Sequence, residues 1–206
     1  MNKLQSVPPV FEAPALEEEI LTFWRASDAF NKLRKLRAGK PLFRFVDGPI
    51  TANNPMGVHH AWGRTLKDVF LRYKAMTGHS AKYQNGFDCQ GLWVEVEVER
   101  SIGSNGKPDI ERYGLDNFSR QCRARVDKYA KVISEQSARL GMWMDWDHSY
   151  FTYDDSNITG IWAFLKECER RGWLYQKGLP MPWCWRCGTS LSEHEMAGSH
   201  KDLEHL

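Results

Sequence analysis

From residue 12 onward the apolar positions fall into alternating helical and strand-like stretches. Leu16, Ile20, Phe23, Trp24 and Phe30 recur at helical spacing among charged residues, which predicts one helix over 12–36, closed by Gly39 and Pro41. The run Leu42-Phe43-Arg44-Phe45-Val46 ends at Asp47-Gly48-Pro49, and its length and bounding turn residues predict a buried strand. Residues 50–57 read as a turn, with Asn53-Asn54-Pro55 before Gly57. Val58, Ala61, Trp62, Leu66, Val69, Phe70 and Tyr73 form an apolar stripe that predicts a helix over 58–76, closed by Gly78. A second strand is expected over 80–85, with Gly86-Phe87-Asp88 at its carboxyl end.

Beyond that point Val94, Val96 and Val98 alternate with Glu95, Glu97 and Glu99, which on pattern alone is a strand. Residues 103–108 read as a loop, 118–140 as a long charged helix, and 157–171 as another helix closed by Gly172. Residues 179–194, rich in Pro, Trp, Cys and Gly, have the look of a small metal-knit lobe. There is no internal repeat and no low-complexity segment. Strand, turn, helix, strand is the opening of an α/β nucleotide-binding fold.

Composition narrows the class without choosing a partner. Hydrophobic residues are 42% and aromatics 13% of 206, so a packed core is expected rather than disorder. Net charge is only +2, from 28 basic and 26 acidic side chains, so any nucleic-acid surface has to be a local basic patch. No apolar run approaches a membrane span, and residues 1–14 lack the basic-then-apolar order of a secretion signal. Five cysteines, with only Cys184 and Cys187 close together, suit a reducing cytoplasm better than a disulfide scaffold.

The chemistry concentrates first in Gly48-Pro49-Ile50-Thr51-Ala52-Asn53-Asn54-Pro55-Met56-Gly57-Val58-His59-His60. This stretch puts two histidines on the first turn of a helix, where unpaired N–H groups and the dipole attract phosphate. An imidazole there can donate to a phosphate oxygen as pyrophosphate leaves. On the pair alone, two surface histidines capping a helix are the simpler reading.

The residues from Asp47 onward resemble the signature region of the class I aminoacyl-tRNA synthetases, in particular the group for isoleucine, valine and leucine. There the pattern D-G-P-P-x-A-N-G-x-x-H-x-G-H precedes a helix with a K-D pair; here Asp47-Gly48-Pro49, Ala52-Asn53 and Lys67-Asp68 fall in register without a gap. The family's H-I-G-H tetrad maps onto Gly57-Val58-His59-His60, with the first histidine and the glycine exchanged. A tetrad swapped in this way resembles that of a subgroup of isoleucyl enzymes. The resemblance assigns His60, with His59 and Gly57, to the ATP phosphates as the catalytic set, and Asn53 to nucleotide contacts. His59 stands where bulk obstructs adenine unless the backbone is displaced or the ring turns aside. It is expected to take over the missing histidine's phosphate role through a shifted backbone, with Gly57 providing the room.

Gly86-Phe87-Asp88-Cys89-Gln90-Gly91-Leu92-Trp93-Val94-Glu95 resembles the family's G-W-D-C/T-H-G-L-P-x-E. Asp88 thereby becomes the partner of the substrate α-ammonium, a natural role for a carboxylate in a partly buried pocket; a helix N-cap is its other reading. Pro49, Ile50 and Gln90 would line the amino-acid pocket. Phe87, Gln90 and Trp93 depart from the pattern at positions that bear on side-chain selectivity. Because the family continues as a helix, 92–102 is expected to be helical despite its alternation.

Trp183-Cys184-Trp185-Arg186-Cys187-Gly188 carries half of a tetrahedral thiolate zinc site. A redox Cys-x-x-Cys would instead open a helix after a strand. Isoleucyl and valyl enzymes place such a pair before T/S-x-L-S/A-x-x-E, as Thr189 to Glu195 reads here, and their second cysteine pair comes much later. His194 and His200 are substitute-ligand candidates, more simply read as surface residues. Glu17 to Trp24 resembles the family's opening helix, and Asp145-Trp146 with Tyr150 to Asp154 resembles D-W-x-x-x-Y-x-T-x-D, so the likeness runs from Glu17 to Asp202.

The resemblance implies the first half of a Rossmann-like (HUP-type) parallel-sheet nucleotide-binding domain with long helices and a small zinc-knuckle lobe. Residues 1–40 would be an N-terminal helical segment, 41–178 the half domain and 179–206 the incomplete start of a connective insertion. The implied activity is ATP-dependent activation of isoleucine and its transfer to the isoleucine tRNA, with Mg2+ and Zn2+, by a cytoplasmic monomer of which this chain is a part that is inactive alone. Two alternatives stand beside it: a valyl or leucyl enzyme, and a non-catalytic relative binding a nucleotide or a protein partner.

Overall fold

The computed structural model describes residue 10 and residues 12–198, apart from the side chain of His194. These residues form two compact units. The first takes the chain up to Ile50, Pro55–Gly86 and Lys131–Ser149; the second takes Thr51–Asn54, Phe87–Ala130 and the chain from Tyr150 onward. No helix among the described residues is long and apolar enough to cross a membrane.

The first unit begins with α1 (Ala13–Ala26) and α2 (Ala29–Leu36), two helices where periodicity predicts one. Asp28 adopts a φ of 50°, which breaks the i→i−4 ladder between them. A short polar side chain tolerates that conformation, and Asp28 Oδ1 accepts a 2.8 Å hydrogen bond from Asn31 Nδ2. β1 (Leu42–Phe43) pairs in parallel with β3 (Ser80–Ala81), Leu42 opposite Ser80 and Phe43 opposite Ala81. Both strands are shorter than the runs 42–46 and 80–85 suggest. Between them in sequence lies α3 (Val58–Met76), the helix a parallel pair requires.

The ends of α3 fall where the sequence places them, but its buried face does not. Arg64, Leu71 and Ala75 point into the unit, while Val58, Trp62, Leu66, Val69, Phe70 and Tyr73 are each at least 50% exposed. Periodicity locates an apolar face; it does not say what covers it. The core that α3 meets is Leu71, Tyr83, Met142 and Met144, with Phe30, Phe43, Phe45, Trp143 and Trp146 packed around them. Arg64 enters this core, its Nη1 donating to Asn85 Oδ1 at 3.1 Å.

In the second unit a three-stranded sheet runs in the order β2 (Ile50–Thr51), β4 (Gly86–Asp88), β5 (Tyr150–Phe151). Ile50 and Thr51, expected as part of a turn, are therefore a short strand. α4 (Leu92–Ile102) coincides with the helix that the motif implied. Its Val94 and Val98, four apart, share the buried face with Glu99, and Val98 packs with Ile110 and Phe118. Helical spacing thus accounts for the valines better than alternation does. α5 (Lys107–Tyr113), which the sequence does not foretell, precedes the long α6 (Leu115–Arg139), whose last turns belong to the first unit. α7 (Asp155–Arg170), a hairpin of β6 (Trp183–Cys184) with β7 (Thr189–Ser190), and α8 (Glu193–Met196) complete the described chain.

The assignment of α3's faces makes a prediction. Leu71→Ala, at a fully buried position, should cost about 2–5 kcal/mol of stability. Trp62→Ser, on the exposed stripe, should change the stability of this chain by only about 0.5 kcal/mol or less. Urea denaturation of the two variants measures both; a larger loss for Trp62→Ser would mean that the stripe is covered.

Candidate functional site

At the start of α3, Gly57 occupies the N-cap with an extended backbone, φ −81° and ψ 168°. Its N–H donates to His60 Nδ1 at 3.2 Å. An Nδ1 that accepts carries no proton, so this bond selects the neutral tautomer with its hydrogen on Nε2. Burial pushes the His60 pKa below the usual imidazole value, and the positive charges of His59 and Arg64 push it the same way. The arrangement is a helix N-terminus carrying a neutral N–H donor.

His59 is exposed, yet its ring folds back. Its centroid lies 3.9 Å from that of His60, with the planes at 46°. A Cβ built on Gly57 would sit 2.9 Å from His59 Cε1 and 3.0 Å from its Nδ1. The His59 imidazole therefore fills the space that a side chain at 57 would claim.

The loop before α3 is tied down from two directions. Met56 N–H donates to Gln136 Oε1 on α6 at 2.8 Å. Lys67 pairs with the buried Asp47 and reaches the Gly48 carbonyl at 3.4 Å. The D-G-P and K-D motifs thus clamp one another, and half-buried Pro49 and Ile50 follow directly from that clamp.

In the second unit Asp88 ends β4, half-buried. Its Oδ2 accepts from Thr51 Oγ1 at 2.9 Å and its Oδ1 from Gln90 N–H at 3.4 Å. Its own carbonyl accepts from Ala52 N–H at 3.0 Å. The helix-cap reading of Asp88 does not hold, because Gly91 takes the N-cap of α4. A carboxylate offers about four lone-pair positions, so two hydrogen bonds leave capacity for a cation. Gln90 is exposed and its Oε1 accepts from Thr152 Oγ1, whose oxygen accepts from Cys89 N–H at 2.9 Å. Asn53 donates to the Trp93 carbonyl at 3.4 Å. Its own carbonyl is held by Arg125 Nε at 2.9 Å, while Arg125 Nη2 reaches Asn54 Oδ1 at 2.9 Å and Glu97 Oε2 at 3.2 Å. Sequence reasoning missed Arg125, since one arginine on a charged helix carries no signal of a partner 72 residues away.

The structure therefore groups Gly57, His59 and His60 in the first unit, and Asn53, Asp88 and Gln90 in the second. Cys184 and Cys187 close the turn between β6 and β7. Cys187 N–H donates to Cys184 Sγ at 3.4 Å and Gly188 N–H to the Cys184 carbonyl at 2.8 Å. The N–H bond to sulfur draws the Cys184 thiol below its usual pKa, and burial raises that of Cys187. Arg186, within the turn, pairs with buried Glu99 of α4 at 2.9 Å. Among the described residues no three His, Cys, Asp or Glu side chains gather in a metal-holding group; what they show of the expected metal-knit lobe is the two-thiol turn. The side chain of His194 and all of His200, the other ligands considered, lie outside the described residues, as do residues 199–206.

A family profile described as tRNA synthetases class I (I, L, M and V) matches residues 19–205. The chain is 41% identical over 199 residues to an isoleucine–tRNA ligase of Streptomyces coelicolor, covering 97% of this chain and 19% of that protein. Similar ligases of Dehalococcoides mccartyi (41% over 198 residues, 96% and 20%) and Thermus thermophilus (41% over 191 residues, 93% and 18%) align likewise. The chain spans about a fifth of the length of the curated relatives it matches. The structure is similar in fold to a chain of the agnB2 LeuRS-tRNA-LeuAMS ternary complex from Agrobacterium radiobacter. The TM-score is 0.57 at 14% identity, over 79% of this chain and 19% of that one.

The bond from Gly57 fixes the direction of a pH effect. With a depressed folded-state pKa, His60 contributes stability that is fully present above the ordinary imidazole pKa, about 6.5, and lost as pH falls through the lowered folded value. An NMR pH titration should find His60 titrating below that ordinary value with Nε2 protonated. His148, whose hydrogen bond to Asp145 raises its pKa, should titrate above it.

Proposed function

Because the chain belongs to the class I tRNA synthetases of the isoleucine, leucine, methionine and valine group, we propose that its protein activates isoleucine with ATP and transfers it to the cognate tRNA. The observation that carries the reading is the start of α3, where the Gly57 N–H bond to His60 Nδ1 leaves Nε2–H as the donor of the neutral ring. In adenylate formation the amino-acid carboxylate attacks the α-phosphorus in line, and negative charge accumulates on the departing pyrophosphate. Little covalent help is needed; positioned donors supply most of the stabilisation. His60 Nε2–H and the unpaired N–H groups of the first turn of α3 would meet the phosphate oxygens, aided by the helix dipole. His59, stacked back on Gly57, would offer a second donor from the same turn. Asn53, fixed by Arg125, would contact the nucleotide.

Asp88 would hold the substrate ammonium. Thr51 and Gln90 N–H orient its carboxylate, and the bond from Ala52 N–H to its carbonyl fixes its backbone. Pro49, Ile50 and Gln90 would wall the substrate side chain. Isoleucine is preferred because the relatives that align over nearly the whole chain are isoleucine–tRNA ligases and because the tetrad is swapped. Valine and leucine differ by pocket shape worth about 1–3 kcal/mol. Magnesium would arrive on the ATP phosphates, since the described residues offer it no carboxylate cluster. Cys184 and Cys187 would supply two thiolates to zinc, half of a closed shell. The tRNA held in the LeuRS complex of similar fold supports RNA as the second substrate. In this reading residues 1–40 are an N-terminal helical segment, 41–178 half of the catalytic domain and 179–206 the start of an insertion, in a cytoplasmic monomer.

ATP–pyrophosphate exchange by the full-length protein, with isoleucine, valine and leucine in parallel, tests the reading. Exchange with isoleucine far above the other two is expected; exchange with none of the three overturns it. His60→Ala and His59→Ala should each slow adenylate formation by about 10²-fold, the scale for losing one transition-state donor. A His59→Ala variant of unchanged rate would show that this ring only fills space. Gly57→His alone should displace the His59 ring and slow the reaction, and adding His59→Gly should restore part of it.

The two-thiol turn makes a separate prediction. The 206-residue chain should lose zinc on dialysis against a chelator, because two thiolates leave half the shell open. Stoichiometric retention, read by atomic absorption, would require further protein ligands.

A further inference from the structure

Residues 150–154 form β5 and the turn into α7, and the chemistry proposed above uses none of them. The turn is anchored at both ends. Phe151 N–H donates to Asp154 Oδ2 at 3.2 Å, and the Thr152 carbonyl accepts from Asn157 Nδ2, on the first turn of α7, at 3.1 Å. Thr152 N–H meets the Phe87 carbonyl of β4 at 3.1 Å. The Thr152 hydroxyl is thereby held against the residues that follow Asp88. Its oxygen accepts from Cys89 N–H at 2.9 Å, and its proton goes to Gln90 Oε1.

Cys89 N–H and the Asp88 carbonyl belong to one planar peptide group. The carbonyl accepts from Ala52 N–H at 3.0 Å, so both polar atoms of the group are bonded, one from each neighbour of the central strand β4. A plane pinned in this way resists rotation. The bond from Gln90 N–H to Asp88 Oδ1 closes a ring through the same peptide group, so the direction of the carboxylate depends on that plane. Cys89 is only 8% exposed, and its N–H has little water to turn to if the hydroxyl is removed.

We infer that Thr152 is a positioning residue of the ammonium site: its hydroxyl fixes the peptide plane behind Asp88 and the amide of Gln90, and so sets the affinity for the amino acid but not for ATP. The inference rests on the amino-acid site proposed above. Two substitutions separate the parts of the side chain, since valine keeps its shape without the hydroxyl and serine keeps the hydroxyl without the methyl group.

The test is ATP–pyrophosphate exchange by the full-length protein, with separate KM values for the amino acid it activates and for ATP. Thr152→Val should raise the amino-acid KM about tenfold, the scale for stranding one donor. Its ATP KM should stay within about twofold of the wild-type value, because uniform binding is lost at one substrate only. Thr152→Ser should keep the amino-acid KM within about threefold of wild type. The amino alcohol of the same substrate, which has the ammonium and side chain without the carboxylate, should weaken as an inhibitor of Thr152→Val by the same factor as the KM. An unchanged amino-acid KM in Thr152→Val, a parallel rise of both KM values, loss of exchange even at saturating amino acid, or a serine variant no better than valine overturns the inference and leaves the proposed activity standing. Wild-type protein that exchanges with none of isoleucine, valine and leucine overturns the activity, and this inference with it.

Discussion

A guanidinium sealed from water governs the interior of the first unit. Arg64 is 1% exposed, and such burial carries a penalty of several kcal/mol unless partners surround the charge. Asn85 Oδ1 takes one of its N–H groups at 3.1 Å, and the Met142 sulfur lies 3.6 Å from the same nitrogen. The Trp146 ring lies 6.0 Å from its carbon. Asn85 is oriented in turn by its own donation to Ser149 Oγ at 2.9 Å. The contacts of this one nitrogen tie α3 to the segment after β3 and to the chain beyond α6, while Arg64 Nε and Nη2 are buried without a hydrogen-bond partner among the described residues. Burial lowers the Arg64 pKa and the Asp47 carboxylate opposes that shift, but a guanidinium keeps its proton in proteins.

The same charge reaches the first turn of α3. Arg64 lies one turn beyond His60, on a common face, and contributes to holding that imidazole unprotonated. The Gly57 N–H bond does the same through geometry, because a protonated Nδ1 could not accept it. The electrostatic effect favours the neutral ring, and the directional one selects its tautomer. A donor fixed in this way needs no reorganisation when negative charge develops nearby, which is where electrostatic preorganisation gains its advantage. In the second unit Asp88 is positioned by hydrogen bonds alone. Its carboxylate accepts from a hydroxyl and an N–H that fix its orientation.

What could be read from the sequence was what local rules dictate. The limits of α3 and α4 follow from helical spacing and from motif register, and both appear where expected. The break between α1 and α2 was not legible, because a single left-handed aspartate leaves the apolar spacing on either side intact. Nor was the outward stripe of α3, since period describes likeness among residues and not their surroundings. For the site, Asp88 and His60 could be named from the motifs. Their partners could not all be named: Thr51 stands 37 residues from Asp88, and Arg125 stands 72 from Asn53. Such pairings are properties of the folded chain.

The stacking of His59 on Gly57 bears on how such a tetrad can change over generations. A side chain at 57 and a ring at 59 contend for the same volume, with 2.9 Å between the atoms concerned. A lineage moving between the two orders of the tetrad by single replacements must pass through one of two intermediates. Histidine at both positions crowds the helix start, and glycine at both removes a donor and loosens the N-terminal turn. The first is relieved where the exposed His59 ring swings away, so the two positions are coupled through the orientation of that ring.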